Sequence, residues 1–159
     1  LVRLNNVTKE SFSTMDIYLK KRWDLIPNLV ETVKGYAKHE KKTLEKVIKL
    51  RNTNYDNIND NEKIKINQSL TKEVSQIIIL AENYPNLKVN KSFIDLSNQL
   101  SKIEEDIAGS RSLYNTDVRK FNNKVEMFPS NIIAKMFNFD IKLFFGINEK
   151  EKKNVKAKQ

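Results

Sequence analysis

From Phe12 the apolar residues fall at Phe12, Met15, Leu19, Trp23, Ile26, Val30, Val33, Ala37, Leu44 and Val47, at steps of three or four except across Glu40. That period predicts an amphipathic helix with one face turned to a core. Pro27 lies inside the stripe. A proline carries no N–H and its ring presses on the carbonyl four residues back, so a kink is expected near Trp23 to Asp24. Gly35 with Lys38-His39-Glu40 forms a second weak point, where the helix either continues to about Tyr55 or turns and returns as a second helix.

Asn52 to Asn61 is rich in Asn and Asp, whose side chains compete for backbone hydrogen bonds, and reads as a connector. A helix is predicted from about Glu62 to Asn83 through Ile66, Leu70, Val74, Ile77, Ile78 and Leu80, ending at Tyr84-Pro85. Ile77-Ile78-Ile79 alone would suit a strand, but no second strand is available to pair with it. Ser92, followed three residues later by Asp95, marks a helix start. From there Phe93, Leu96, Leu100, Ile103, Ile107, Leu113 or Tyr114, Val118, Phe121, Val125 and Phe128 form a stripe that Pro129 ends. Ser130 then caps a short amphipathic helix through Ile132, Ile133, Met136 and Phe137, and Phe144-Phe145-Gly146 closes the fold. The expected class is all-α: an antiparallel up-and-down four-helix bundle with long helices and a short C-terminal helix, occupying residues 1–147. Residues 148–159 are Lys, Glu and Asn around a few small or apolar residues, and read as a mobile basic tail.

Composition supports this class. Three Gly and three Pro among 159 residues supply too little turn chemistry for a β-sandwich or barrel. The absence of Cys excludes disulfides, thiol nucleophiles and cysteine zinc sites, and a single His leaves little for a transition metal; no cofactor or metal is expected. The net charge of +9 is uneven: residues 1–55 carry 12 basic and 6 acidic side chains, 129–159 carry 7 and 3, and the middle is near neutral. Specific nucleic-acid sites add Arg clusters or aromatic platforms, and neither stands out, so nucleic acid is not an expected partner.

The run from Asp16 to Glu40, DIYLKKRWDLIPNLVETVKGYAKHE, resembles the signature of the LemA family of bacterial membrane-associated helical proteins. The resemblance extends through Tyr84-Pro85-Asn86-Leu87-Lys88, Phe93-Ile94-Asp95-Leu96, Tyr114-Asn115 with Val118 and Asn122, Phe128-Pro129-Ser130-Asn131 and Phe144-Phe145. Ser110 departs from the family's usual Ala, and the tail after Asn148 matches no family pattern. The resemblance implies a four-helix up-and-down bundle preceded by one membrane-spanning helix that would end just before Leu1. It brings no catalytic residues with it.

Candidate sites are few. His39 beside Glu40 lacks a nucleophile and an orienting partner, which favours a solvated or capping role. Glu104-Glu105-Asp106 point three ways around a helix and read as a solvated face rather than a cation site. Lys20, Lys21 and Arg22 ahead of Trp23 are either solvent-facing partners of Asp16 and Asp24 or an anion-contacting surface. Asn28, directly after Pro27, is placed to offer its amide to carbonyls freed by a kink. The candidate interaction surface is therefore Lys20, Lys21, Arg22, Asp24 and Asn28. The resulting expectation is a non-enzymatic protein-interaction module at the bacterial membrane, anchored by a single preceding helix and leaning to the cytoplasmic side. The alternative is electrostatic binding of anionic lipid or nucleic acid through the basic N-terminal helix and the C-terminal region.

Overall fold

The computed structural model describes residues 1–146, and the tail expected at 148–159 lies outside them. The described residues form α1 (Val2–Lys34), α2 (Lys41–Arg51), α3 (Asp60–Leu80), α4 (Pro85–Lys88), α5 (Lys91–Glu126) and α6 (Ser130–Met136). Two 3-10 turns stand at Tyr55–Asn57 and Ala81–Asn83, and the described residues contain no strand. The described chain divides into two compact units, Tyr18–Asp106 and a second made of Leu1–Ile17 with the described residues from Ile107.

In the Tyr18–Asp106 unit one apolar core gathers Trp23, Ile26, Leu29 and Val33 from α1, Leu44 and Val47 from α2, Leu70, Val74 and Ile77 from α3, and Phe93 and Leu100 from α5. All ten residues of the stripe predicted from Phe12 to Val47 are buried. Of the two readings open at Gly35, the turn is observed. The amides of Tyr36 and Ala37 both bond back to the Val33 carbonyl, and buried Ala37 holds the turn against the core. α2 then packs on α3.

α1 runs through Pro27. The carbonyl that would have accepted the missing amide is that of Trp23, and it accepts instead from Arg51 Nε of α2 at 3.1 Å. The same guanidinium lies over the Trp23 ring, 5.0 Å from its centroid. Asn28 was the expected donor for a carbonyl freed here; for the Trp23 carbonyl, the donor is an arginine from another helix. Asn59 caps α3, its side-chain oxygen accepting from the Glu62 amide at 2.9 Å. At α5 the cap is Asn90, which accepts from the Phe93 amide at 3.0 Å, and not Ser92, which lies exposed within the first turn. Ser92 to Asp95 fits the local motif, but Asn90 starts the helix two residues earlier.

In the second unit α1 and α5 meet through Phe12 and Tyr114, ring edge to face at 5.6 Å, and through Ser11, whose hydroxyl donates to the Asp117 carboxylate. After α6 the chain runs back along α5, held by its main chain. Asn122 donates to the Lys142 carbonyl (3.0 Å) and accepts from the Lys142 amide (2.8 Å), and Asn115 does the same for Phe145 (3.0 and 2.9 Å). The Tyr114 hydroxyl adds a bond to the Leu143 carbonyl at 2.9 Å. Each amide thus stands in for a neighbouring strand. Phe145 is buried, and Gly146 ends the segment at φ 68°, where a Cβ would come within 2.8 Å of the Arg111 guanidinium.

The pairing predicts that Asn122→Ala will lower unfolding free energy by roughly 1–3 kcal/mol for two lost hydrogen bonds. Hydrogen exchange at the Lys142 amide should accelerate in that variant, while exchange in α3 stays unchanged.

Candidate functional site

Four of the five residues singled out by sequence lie at or near the surface of α1. Lys21, Asp24 and Asn28 are exposed, and Lys20 is half-buried, its amine 3.7 Å from Asp24, 4.0 Å from Asp56 and 5.4 Å from the centre of the Tyr55 ring. Such exposed pairs contribute little to stability. Lys21 lies 5.6 Å from the Tyr18 ring.

Arg22 corrects the expectation. It is 0% exposed and belongs to no surface. Its Nη1 donates to Glu104 Oε1 at 2.8 Å and Thr71 Oγ1 at 2.6 Å, and its Nη2 to the Asn67 carbonyl at 2.9 Å and the Asn67 side-chain oxygen at 3.3 Å. Asn67, also buried, donates in turn to the Tyr55 hydroxyl (3.0 Å) and the Lys63 carbonyl (2.8 Å). Tyr55 stacks at a tilt on Trp23, 4.9 Å between centroids. The guanidinium therefore ties α1, α3 and α5 together.

A signal for this was present. Met15, Leu19, Arg22, Ile26, Leu29 and Val33 continue the three-and-four step, so Arg22 occupies a seam position. Reading the seam through Trp23 and Val30 instead left Arg22 among the surface cations. Its planar fork of donors is what allows a cation there.

The carboxylate run resolves into separate roles. Glu104 meets Arg22, Glu105 is exposed, and Asp106 accepts from Lys102 at 3.2 Å. Among the described residues no group of three His, Cys, Asp or Glu side chains is placed to hold a metal ion. His39 is exposed, while its neighbour Glu40 accepts from the Tyr84 hydroxyl at 3.0 Å.

Two surface features remain. One is a groove lined by Ile26, Pro27, Val30, Glu31, Ile48, Arg51 and Asn52; Asn28 lines a separate hollow with Thr32, Ser92 and Asp95. The other is α6. The sequence reading makes Ile132, Ile133, Met136 and Phe137 the apolar face of a short amphipathic helix; in the structure all four are exposed and only Ala134 of that helix is buried. Phe128, expected to close the α5 stripe, is 79% exposed, because α5 ends two residues earlier. Ser130 does not cap α6; its hydroxyl donates back to the Lys124 and Met127 carbonyls at the end of α5.

Long helices packed together, with buried polar pairs set into apolar seams and no strand among the described residues, define an all-α protein. The sequence matches the LemA family model over residues 11–158, so the match takes in most of the tail after Asn148 that the sequence reading sets outside the family pattern, and the chain belongs to that family. It is similar to Protein LemA of Metamycoplasma hominis, 24% identical over 157 residues, which covers 98% of this chain and 71% of that protein.

Arg22→Met should cost roughly 1–3 kcal/mol in urea unfolding, because the buried acceptors on Asn67 and Thr71 lose their donor, while Glu104, 36% exposed, can turn to water. For Tyr84, the hydrogen bond to Glu40, then burial, then the Glu40 charge, raise the pKa above its ordinary 10.0. A raised pKa favours the protonated form in the folded state, so this contribution is full below pH 10 and is lost as pH rises through the folded-state value. In Glu40→Gln the phenol should titrate closer to its ordinary value, measured by ultraviolet difference absorbance.

Proposed function

We propose that this LemA family member is a non-enzymatic interaction module of the bacterial membrane that binds a protein partner. In this reading α1, α2, α3 and α5 of the Tyr18–Asp106 unit form an antiparallel up-and-down bundle. The membrane is reached through a spanning helix ahead of Leu1, with the bundle on the cytoplasmic side. No helix of the described residues is itself long and apolar enough to cross a membrane.

The observation that carries the reading is the groove between α1 and α2. Its walls are apolar at Pro27, Val30 and Ile48, and Glu31 and Arg51 supply one charge of each sign. Such a surface suits a side chain with an apolar body and a polar end, the kind that anchors protein interfaces. Meanwhile the Arg22 guanidinium and the Asn67 amide are turned inward onto Glu104, Thr71, Tyr55 and Lys63, away from this groove.

Ile48 is partly exposed and outside the Arg22 network, so Ile48→Glu should fold normally. Affinity capture from membranes is expected to recover a defined protein with the wild-type chain and to lose it with Ile48→Glu. Recovery of the same proteins by both chains would overturn the reading.

A further inference from the structure

We propose that α6 and its flanks form a wedge that inserts into the headgroup region of an anionic lipid bilayer. This contact goes beyond the groove at Ile48, lies on different residues and needs no partner protein.

α6 has two turns, and its side chains are arranged opposite to those of a helix packed on a core. Met136 is 71% exposed, Phe137 66% and Phe128 79%, with Ile132 and Ile133 also outside, while the small Ala134 faces in. The arrangement is held rather than loose. The Ala134 carbonyl accepts from the Phe139 amide at 2.8 Å, Ser130 is tied to the end of α5, and the following segment is clamped by Asn122. The large apolar residues are therefore presented by a supported scaffold.

Charge selects the occupant. Residues 127–139 contain one charged side chain, Lys135, and the wider stretch 119–146 carries Arg119, Lys120, Lys124, Lys135 and Lys142 against Glu126 and Asp140, a net +3. Lys120, Lys124 and Lys135 are exposed. An apolar tip rimmed by lysines matches a surface of lipid phosphates over acyl chains. A second copy would bring the same positive rim against itself, and seven residues provide too short a seam for a helix partner. The register of Ser11 and Phe12 against Asp117 and Tyr114 also brings exposed Val2 and Arg3 alongside the last turns of α5, adding one apolar residue and one cation to this end of the unit.

The test uses the 159-residue chain with large vesicles of phosphatidylglycerol and phosphatidylethanolamine, and vesicles of phosphatidylcholine as the neutral control. The chain contains no Cys, so Met136→Cys and Ile79→Cys each accept a single environment-sensitive dye. The dye at position 136 is expected to shift to the blue on anionic vesicles and not on neutral ones, while the dye at 79 stays unchanged. Ile132→Glu with Met136→Glu should weaken co-sedimentation by roughly tenfold or more, as expected when charge replaces two inserted apolar groups, with the far-ultraviolet circular dichroism preserved. Lys124→Gln with Lys135→Gln, which leaves the apolar face intact, should also weaken binding and flatten its salt dependence. The proposal is overturned if the glutamate pair binds anionic vesicles as well as the wild type, or if the dye at 136 does not respond. It is equally overturned if that dye shifts with protein concentration alone and the glutamate pair abolishes self-association, which would assign the face to a second copy.

Discussion

Arg22 has no surface left to water, so its guanidinium has to be met inside the protein. Glu104 supplies the opposite charge, and Thr71 and Asn67 accept most of the remaining hydrogens. Nε is left without a partner, so even this arrangement does not fully repay desolvation. The benefit lies elsewhere. An apolar seam tolerates slippage or rotation by one position, whereas a buried fork with acceptors on two other helices tolerates neither. The turn before α3 is drawn in as well, because the Asn67 amide that turns its oxygen to the guanidinium donates to the Tyr55 hydroxyl. The core around Trp23 is packed against a fixed electrostatic alignment of α1, α3 and α5.

The second unit uses the same logic with weaker chemistry. Asp117 is buried and accepts from Ser11, while the Thr8 hydroxyl lies against the carbonyl of the same residue. Asn115 and Asn122, seven residues apart on α5, present their amides along one line and hold the returning chain at Phe145 and Lys142. In both units, polar side chains inside the protein set alignment and apolar side chains fill the space between them. The unusual feature is then the apolar surface that is not filled in, on α6 and beside Pro27.

The helical class and most of the core were legible in the sequence, because a three-to-four period with long apolar side chains has one physical solution in water. The stripe from Phe12 to Val47 lies inside at every position, and Tyr114 rather than Leu113 continues the α5 seam. What escaped was any place where a polar residue took an apolar role or an apolar residue a polar one. Arg22 looked like a surface cation because its acceptors come from residues 45 and more positions away. The α6 stripe looked like a packing face because periodicity tells which residues share a side and not which side is covered. Asn90 and Ser92 both satisfy the local grammar of a helix start, and only the path of the preceding turn decides between them. Asn115 and Asn122 stand out as part of the family resemblance, but their grip on the main chain is not legible, since the groups they hold are common to every residue.

Pro27 has one more consequence. A proline within α1 leaves the Trp23 carbonyl bare, and its donor sits at the far end of α2, beyond the turn at Ala37. The middle of α1 therefore cannot complete its own hydrogen bonding as an isolated helix. It becomes whole only once the chain has doubled back and Arg51 has reached the indole. Secondary structure at this point is completed by tertiary contact: the helix on which both the Arg22 fork and the Ile48 groove are built takes one of its hydrogen bonds from α2.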